Sequence, residues 1–466
     1  MIGHKWRYLV LLAASYFFYM YWNPRLVFLI LFTTIVSYLA GILLEKAGDN
    51  QRMRKLILSA TLVTCLSVLL FFKYFNFLYD AVYDVIEAFG GKGQAGYFSI
   101  LLPVGISFYT FQTDSYVIDV YKKTEPCEKH FGYYALFVIF FPQLVAGPIE
   151  RPGDLLPQLK KKGDIRRLDY SGAFRYMLLG FFKKIAVADA AGLLVNAVYE
   201  APEAAGGLSS LIATLLFSVQ ILCDFSGYSD IAKGSAKLFA VELTENFEKP
   251  YSSRSIKEFW NRWHLSLSRW LRDYLYFPLG GSRCHAVRRA FNILLVFFVS
   301  GLWHGASYNF IIWGLLHGIF QVIGIYTLPL RSKFWQKLGK EPTSRLVTRL
   351  RTVGTFLLVL LTWVFFRADT PQDAITVFHN IFTDYAFSLD YLKAEIATLS
   401  LSLPMAVYLV AALCLLPLAE QLKEKNKPAA EKERFLLYVI LALCTVGVWI
   451  YLGASDVGSS FIYFQF

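Results

Sequence analysis

The sequence between residues 255 and 281 reads Ser255-Ile-Lys-Glu-Phe-Trp-Asn-Arg-Trp-His-Leu-Ser-Leu-Ser-Arg-Trp-Leu-Arg-Asp-Tyr-Leu-Tyr-Phe-Pro-Leu-Gly-Gly281, an aromatic and basic stretch. It is followed by Val299-Ser-Gly-Leu-Trp-His-Gly-Ala-Ser307, which lies between two long apolar runs. The first stretch is typical of an amphipathic helix at a membrane surface. The second places an imidazole where hydrocarbon or buried protein is expected, and a titratable group at that depth is costly and usually functional.

The composition places the chain among integral membrane proteins. Of its 466 residues, 56% are hydrophobic and only 17% are charged, whereas about a quarter of a soluble domain is charged. The net charge of +12 comes with Lys and Arg in short loops between apolar runs, which is the positive-inside pattern. The basic balance therefore indicates a charged membrane surface or an anionic donor, and not nucleic acid.

Several familiar chemical motifs are absent from the sequence. The six cysteines have no CxxC or ligand-like spacing, so we predict neither a disulfide framework nor a metal site. The sequence also lacks the Gly-x-Ser-x-Gly, P-loop and His-Glu-x-x-His motifs. What remains is a base-assisted direct transfer, or no chemistry at all.

Apolar runs recur along the chain, and we predict one membrane-embedded domain over residues 1–466 with its core motifs within residues 100–320. A helical span needs about 17–25 mostly apolar residues, so we expect ten or eleven spans with two or three re-entrant or interfacial elements. The predicted apolar elements are Arg7–Trp22, Leu26–Leu44, Leu56–Tyr74, Tyr97–Tyr121, Tyr133–Val145, Phe174–Val198, Leu208–Cys223, Ile293–Trp303, Phe310–Leu328, Val353–Phe366, Leu401–Leu418 and Phe435–Tyr451.

Some segments depart from a simple span. Tyr97–Tyr121 carries many polar residues, so we expect it to be buried in protein. Phe75–Phe89 is predicted as a separate interfacial element, and the Gly- and Ser-rich run Asp224–Gly234 as a break after a span. Basic loops such as Lys160–Lys162 alternate along the chain and place the amino terminus inside and the carboxyl terminus outside.

His304 is the first catalytic candidate. Gly301 and Gly305 flank it and allow a close backbone approach or a helix break. An imidazole in a polar pocket could take a proton from a hydroxyl, since its ordinary pKa is about 6.5. The alternative is a buried histidine that only bonds to a carbonyl or a neighbouring helix.

His264 is the second candidate. The spacing predicts one helix in which Trp260, His264, Leu267 and Leu271 share a face, so the imidazole points into protein. The alternative is an interfacial helix anchored by its Trp and Arg side chains. His317 is expected to be a packing residue.

The charged residues within or close to residues 255–307 each have two interpretations. Asp224 and Asp230 could orient a base, but a helix cap or a turn is favoured. The basic residues could receive the phosphates of coenzyme A or an acidic carrier protein, or they could reflect topology alone. They are Arg254, Lys257, Arg262, Arg269, Arg272 and Arg283.

Six motifs in order resemble the bacterial membrane-bound O-acyltransferase (MBOAT) family, and within it the alginate O-acetyltransferase (AlgI) branch; teichoic-acid D-alanyl transferases are more distant. The resemblance covers nearly the whole chain. The motifs are Phe141–Pro152, Asp224–Asp230, Glu258–His264, Trp270–Gly281, Gly301–Ser307 and Phe461–Phe466.

The resemblance implies a ring of membrane helices around a funnel or tunnel in a bacterial inner-membrane protein. It implies that His304 is the catalytic histidine and His264 the second family histidine. It implies that an acyl group, which we expect to be acetyl, passes from a cytoplasmic thioester such as acetyl-CoA to an exported polysaccharide. It also implies an SGNH-type extracytoplasmic partner that completes the transfer. No bound cofactor is expected. We take the following as substrate-binding residues: Trp303, Asn261, Arg262, Tyr228, Asp230 and Gln112.

Two departures from the family pattern affect these expectations. Members of this branch begin with one more apolar helix before the stretch that resembles Trp6–Trp22, so the first span is expected to be missing. The motifs also recur in proteins that acetylate different glycans, so the acceptor stays open. The alternatives are D-alanyl or other acyl transfer to teichoic acid or peptidoglycan, a non-catalytic acyl or glycan transporter, and a structural scaffold.

Overall fold

The computed structural model describes residues 4–90, 98, 100–161, 168–339, 341, 343–423 and 431–454. Regular structure within these ranges is helical, and they contain no strand. The predicted all-α class is therefore confirmed. Some predicted features lie outside the described residues: the motif Phe461–Phe466, and Lys162 of the basic loop Lys160–Lys162.

Twenty α-helices are described, together with two π-helical segments, Phe182–Asp189 and Arg272–Tyr276. The α-helices are α1 His4–Trp22, α2 Val27–Lys46, α3 Gln51–Ala88, α4 Ile106–Lys122, α5 Phe131–Ile139, α6 Phe141–Leu144, α7 Pro152–Lys160, α8 Tyr170–Phe181, α9 Ala190–Tyr199, α10 Gly207–Lys237, α11 Ile256–Trp260, α12 Leu265–Leu271, α13 Ala286–His304, α14 Tyr308–Tyr326, α15 Leu328–Lys337, α16 Arg345–Arg367, α17 Pro371–Thr383, α18 Leu389–Thr398, α19 Leu403–Glu420 and α20 Glu431–Ala454.

Eight helical segments of the described chain are long and apolar enough to cross a membrane, which is fewer than the ten or eleven predicted spans. Part of the difference has a simple cause: α4 has only 17 residues, and α5 ends after nine. The eight candidate spans are Pro24–Lys46, Gln51–Ala88, Gly207–Lys237, Ala286–His304, Tyr308–Tyr326, Arg345–Arg367, Leu403–Glu420 and Phe435–Gly453.

The chain packs as two compact units. The first unit contains Met1–Tyr170 and Ser235–Thr244, and the second contains Ser171–Gly234 and Glu245–Phe466. In the first unit, α4 packs against α2, α3 and α5. All residues of α4 from Ile106 to Val117 are buried, which confirms that the polar segment after Tyr97 lies inside protein.

Arg54 connects the carboxyl-terminal ends of α2 and α4 in the first unit. Its guanidinium is 3% exposed and donates to the carbonyl oxygens of Leu44 at 2.7 Å and Tyr121 at 2.6 Å. These carbonyls belong to the last turns of α2 and α4, where the helix leaves carbonyl groups without intrahelical donors. The arginine of α3 therefore fixes where the two other helices end.

Helix α3 corrects one boundary of the sequence analysis. The span Leu56–Tyr74 and the interfacial element Phe75–Phe89 form one continuous helix of 38 residues, Gln51–Ala88. No Gly or Pro occurs between residues 51 and 88, so nothing in the backbone ends the helix where the polar residues begin.

The predicted break at Asp224–Gly234 is also wrong, because α10 continues through it to Lys237. Asp224 and Asp230 do not cap a helix end. They are almost fully buried in its middle and bind lysines: Lys184 Nζ lies 2.6 Å from Asp224, and Lys183 Nζ lies 2.8 Å from Asp230. The ion pairs satisfy the carboxylates, so their polarity does not interrupt the helix.

The two lysines come from the π-helical segment Phe182–Asp189, which lies between α8 and α9. The same cluster reaches the carboxyl-terminal helices, because Lys183 also pairs with Glu420 and Lys423 Nζ lies 2.8 Å from Asp230. Burial and three neighbouring carboxylates act on Lys423, and the net effect raises its pKa above the ordinary value. The cluster therefore links α19 to α10 through buried charge.

Helices α13 and α14 form the closest hairpin of the second unit. A Cβ on Gly301 would stand 2.3 Å from the carbonyl oxygen of Phe310, and one on Gly314 would stand 2.3 Å from that of Phe297. Side chains larger than hydrogen do not fit at these positions, so the two backbones approach directly. The crossing point lies one turn before His304, at the end of α13.

Candidate functional site

The backbone around His264 does not form the single helix that the sequence analysis predicts. Helix α11 ends at Trp260 and α12 begins at Leu265, so Trp260 and His264 do not share a helical face. His264 has φ 44° and ψ 56°, in the left-handed region that non-glycine residues rarely adopt. Asn246 stabilises this turn, because its carbonyl oxygen accepts from Leu265 N at 3.0 Å and its Oδ1 accepts from Ser266 N at 3.3 Å.

The left-handed turn places the His264 imidazole in an apolar, aromatic environment. The side chain is fully buried, with the Phe225 ring centroid 4.7 Å and the Trp303 ring centroid 5.6 Å away. Among the described residues, neither ring nitrogen has a hydrogen-bond partner. Burial lowers the pKa of His264 to about 3, so the imidazole is neutral at physiological pH.

His304 lies beside His264, although forty residues separate them in the chain. Their ring centroids are 6.4 Å apart. His304 is 3% exposed and is packed between Trp313 at 4.9 Å and Phe366 at 5.3 Å. The second unit therefore brings both predicted catalytic histidines into one buried aromatic cluster, an arrangement that their separation in sequence permits but does not require.

A cavity of about 590 Å³ extends toward this cluster. It follows one face of α13 from Arg289 past Ile293 and Phe297 to Ser300, a distance of roughly 16 Å at 1.5 Å per residue. Ser300 lies one turn before His304, and Leu265, which also lines the cavity, directly follows His264. The cavity thus runs from a basic end of α13 to the neighbourhood of both histidines.

The lining combines apolar and cationic side chains. Val296 and Phe297 are apolar, and Lys257, Arg269, Arg272 and Arg289 contribute positive charge. No acidic side chain lines it among the described residues. The cavity therefore suits a ligand with an anionic end and a long, less polar arm.

Half of the predicted basic set lines this cavity: Lys257, Arg269 and Arg272. The other three residues do not line it. Arg254 and Arg262 instead bind Glu258, with N···O distances of 3.2 Å and 2.9 Å. Their charges are used within the local structure of α11, a role that the sequence analysis did not predict.

Two of the six predicted substrate-binding residues lie at the site. Trp303 is buried against both histidines, with its ring centroid 5.0 Å from that of His304. Asn261 is exposed and lines the cavity. Of these two residues, only Asn261 lines the cavity.

The other four predicted residues do not line the cavity. Arg262 is paired with Glu258, and Asp230 is held by two lysines as described above. Tyr228 is half-buried on α10 and does not line the cavity. Gln112 belongs to the other compact unit, where its Nε2 donates to the carbonyl oxygen of Phe137 at 2.7 Å.

His317 is a packing residue, as expected, and its hydrogen bonds define its tautomer. Trp260 Nε1 donates to His317 Nδ1 at 3.3 Å, because an indole nitrogen is only a donor. The proton of the imidazole is therefore on Nε2, which donates to Thr362 Oγ1 at 2.9 Å. This chain of bonds holds the Trp260 indole, which lines the cavity.

Sequence reasoning missed several residues of the site. Arg289 and Ser300 could have been found, since Arg289, Ile293 and Ser300 share one face of a predicted helix. Phe225 and Phe366 could not, because they reach the histidines from helices far away in the chain. Among the described residues, no group of three or more His, Cys, Asp or Glu side chains is arranged to hold a metal ion.

The fold and the site define a multi-pass membrane protein with a buried histidine pair and a nearby cavity lined by cationic side chains. Comparison with known proteins then identifies its family. Residues 129–344 match the membrane-bound O-acyltransferase family. The chain is 38% identical to the probable alginate O-acetylase AlgI of Pseudomonas aeruginosa, over 88% of this chain and 76% of that protein.

Two further relatives are named for other acceptors, peptidoglycan and teichoic acid. The peptidoglycan O-acetyltransferase of Helicobacter pylori is 33% identical over 83% of this chain and 75% of its own length. The teichoic acid D-alanyltransferase of Bacillus subtilis is 29% identical over 55% of this chain and 66% of its own length. The chain belongs to the membrane-bound O-acyltransferase family and is a multi-pass bacterial membrane acyltransferase.

Proposed function

We propose that the protein transfers acetyl groups from a cytoplasmic thioester to a hydroxyl group destined for a polysaccharide outside the cell, with His304 as the general base. One observation carries the proposal: two buried imidazoles lie 6.4 Å apart where a basic cavity approaches them. The names of the relatives, which include O-acetylases of alginate and peptidoglycan, support the acetyl group and the glycan acceptor.

The cavity along α13 is the proposed donor site. Lys257, Arg269 and Arg289 would bind the phosphates of acetyl-CoA or of a carrier-bound phosphopantetheine arm. The arm would follow Ile293 and Phe297 and bring the thioester toward Ser300, one turn from His304. The positive-inside rule supports a cytoplasmic location for this basic end.

The proposed step gives the two histidines different roles. His304 removes the proton from the acceptor hydroxyl, and the oxygen attacks the thioester carbonyl carbon. The carbon–sulfur bond then breaks, and the leaving thiolate takes the proton from the His304 imidazolium. The donor is a substrate, and the step needs no other cofactor.

His264 fits a different role because of its burial. An imidazole with a pKa of about 3 is a poor general base at neutral pH, since a base works best near the operating pH. It remains a neutral hydrogen-bond donor in a dry pocket, where it would stabilise the negative charge that develops on the carbonyl oxygen. Trp303, which contacts both rings, would hold the acyl group between them.

The acceptor side of the proposal rests on family resemblance. We infer an SGNH-type extracytoplasmic partner that completes the transfer to an alginate-like polysaccharide or to peptidoglycan. The substrate roles predicted for Arg262, Tyr228, Asp230 and Gln112 stay predictions. D-alanyl transfer is the second candidate, supported by the relative from Bacillus subtilis, and it would replace acetyl-CoA by a D-alanyl carrier protein.

The test is acyl transfer in liposomes with radiolabelled acetyl-CoA on the side of the basic loops. His304→Gln should lower the rate by about 10²–10⁴-fold, which is the usual contribution of general base catalysis. His379→Gln is the matched control, because this histidine is exposed on α17. Full activity in a folded His304→Gln variant would refute the proposed base, and transfer from D-alanyl carrier protein alone would favour the second candidate.

A further inference from the structure

A second, smaller cavity lies between α15 and α16. Its volume is about 150 Å³. The side chains that line it among the described residues offer two guanidinium groups, one hydroxyl and one indole N–H, and no carboxylate. The lining residues are Leu328, Arg331, Ser332, Trp335, Leu350 and Arg351.

The two arginines make this cavity suitable for an anion. Arg331 Nη2 donates to the carbonyl oxygen of Gly324 at 2.6 Å, which orients the guanidinium against the end of α14 and leaves its other N–H groups available. Arg351 reaches the cavity from α16 and is half-buried. A phosphate between two guanidinium groups accepts paired, charge-assisted hydrogen bonds.

The neighbouring face of α15 indicates that the anion is part of a lipid. Leu330, Phe334 and Leu338 follow one another at every fourth residue and are 68%, 56% and 55% exposed. A row of large apolar side chains beside cationic ones is typical of a helix that lies in the membrane surface. Trp335, which lines the cavity, is the residue type that prefers the headgroup level. A free anion would leave the apolar row in water.

The charge of the whole segment agrees with this interpretation. Residues 328–351 contain seven basic residues and one acidic residue, and such segments are attracted to the anionic leaflet of a membrane. The segment follows α14, whose Tyr326 hydroxyl donates to the carbonyl oxygen of Ala286 at 2.7 Å. It therefore lies at the end of the α13–α14 hairpin where α13 begins, which is also the end near Arg289.

We propose that the cavity between α15 and α16 binds the phosphate headgroup of an anionic phospholipid, with Arg331 and Arg351 as its ligands. The bound lipid holds α15 in the plane of the membrane surface. This binding site is separate from the acyl-transfer chemistry and does not depend on the proposed function.

The test counts phosphatidylglycerol molecules on the purified full-length protein by native mass spectrometry, without any acyl donor. The pocket variant combines Arg331→Gln with Arg351→Gln. The matched control combines Lys333→Gln with Arg349→Gln, which removes the same charge from exposed positions of the same two helices that do not line the cavity. The pocket variant should weaken retention of the tightest lipid by about tenfold or more, since charged hydrogen bonds are lost, while the control should not.

Other outcomes would overturn the proposal. Equal losses in both variants would show diffuse charge attraction without a site, and retention in the pocket variant would place the lipid elsewhere. Displacement of phosphatidylglycerol by inorganic phosphate at comparable concentration would indicate a free-anion site. Binding of an acidic carrier protein in place of lipid would identify a protein-docking surface. An unchanged melting temperature confirms that both variants are folded.

Discussion

The close crossing of α13 and α14 gives a sharp prediction about catalysis, tested by Gly301→Ala. The added methyl group would stand 2.3 Å from the carbonyl oxygen of Phe310, whereas ordinary contacts begin at 3.4 Å. The contact is with backbone, so no flexible side chain can yield. The two helices must therefore separate by about 1 Å.

This separation would act directly on the histidine pair. His304 lies on α13 three residues after Gly301, and Trp313, which packs against its ring, lies on α14. A misplacement of about 1 Å at a reacting group can cost about 100-fold in rate. We expect Gly301→Ala to lower the turnover rate by about that factor although both histidines are still present in the chain.

The assay is acetyl transfer in liposomes, with the melting temperature measured on the same preparation. Overpacking of this kind also costs about 1–3 kcal/mol of stability, so rates are compared per folded molecule. Gly324→Ala on α14 is the matched control, because a Cβ there meets nothing within 4 Å. If Gly301→Ala retained the wild-type rate, the crossing would not position His304 and the reasoning would be wrong.

Three further predictions follow from other contacts. The pKa of His264 falls from 6.5 to about 3 on folding, so the unfolded chain takes up the proton first as the pH drops. The free energy of unfolding should therefore decline between about pH 6.5 and 3, by roughly 1.4 kcal/mol per pH unit. Thermal melts of His264→Phe over this pH range should lack the decline that is due to His264. Asp230→Asn should destabilise the protein by about 3–5 kcal/mol, because two buried lysines lose their shared carboxylate, whereas Glu242→Gln, which breaks the exposed pair with Lys237, should change the melting temperature little. Arg289→Gln should raise the KM for acetyl-CoA by about tenfold with little change in kcat if this residue binds a phosphate; an unchanged KM would exclude it from the donor site.

Much of the membrane architecture could be predicted, because hydropathy depends on local composition. The spans at α2, α14 and α19 were located to within a few residues. The buried character of α4 followed from its polar residues, which lipid would not accommodate. The boundaries predicted within α3 and α10 are wrong because polar residues in α3, and Gly and Ser in α10, do not end a helix by themselves.

The site was predictable only in part. The sequence motifs indicated His264 and His304, but not that they meet, since that depends on the α13–α14 crossing and on the turn at His264. The left-handed conformation of His264 is stabilised by hydrogen bonds that Leu265 N and Ser266 N donate to Asn246, and no local sequence pattern indicates these bonds. Asp230 shows the opposite case, where a motif residue that suggested chemistry is bound to two lysines.

The π-helical segment Phe182–Asp189 has a consequence for how this part of the chain tolerates length changes. A π-turn contains one residue more than an α-turn, and each residue of an α-helix advances by about 100° around the axis. If deletion of one residue here restored a regular α-helix, the residues before and after the segment would keep nearly the same faces, because the wide turn already accommodates the extra residue. The change would fall on the segment itself, which presents Lys183 to Asp230 and Lys184 to Asp224. A single-residue deletion should therefore disturb these ion pairs more than the packing of α8 and α9.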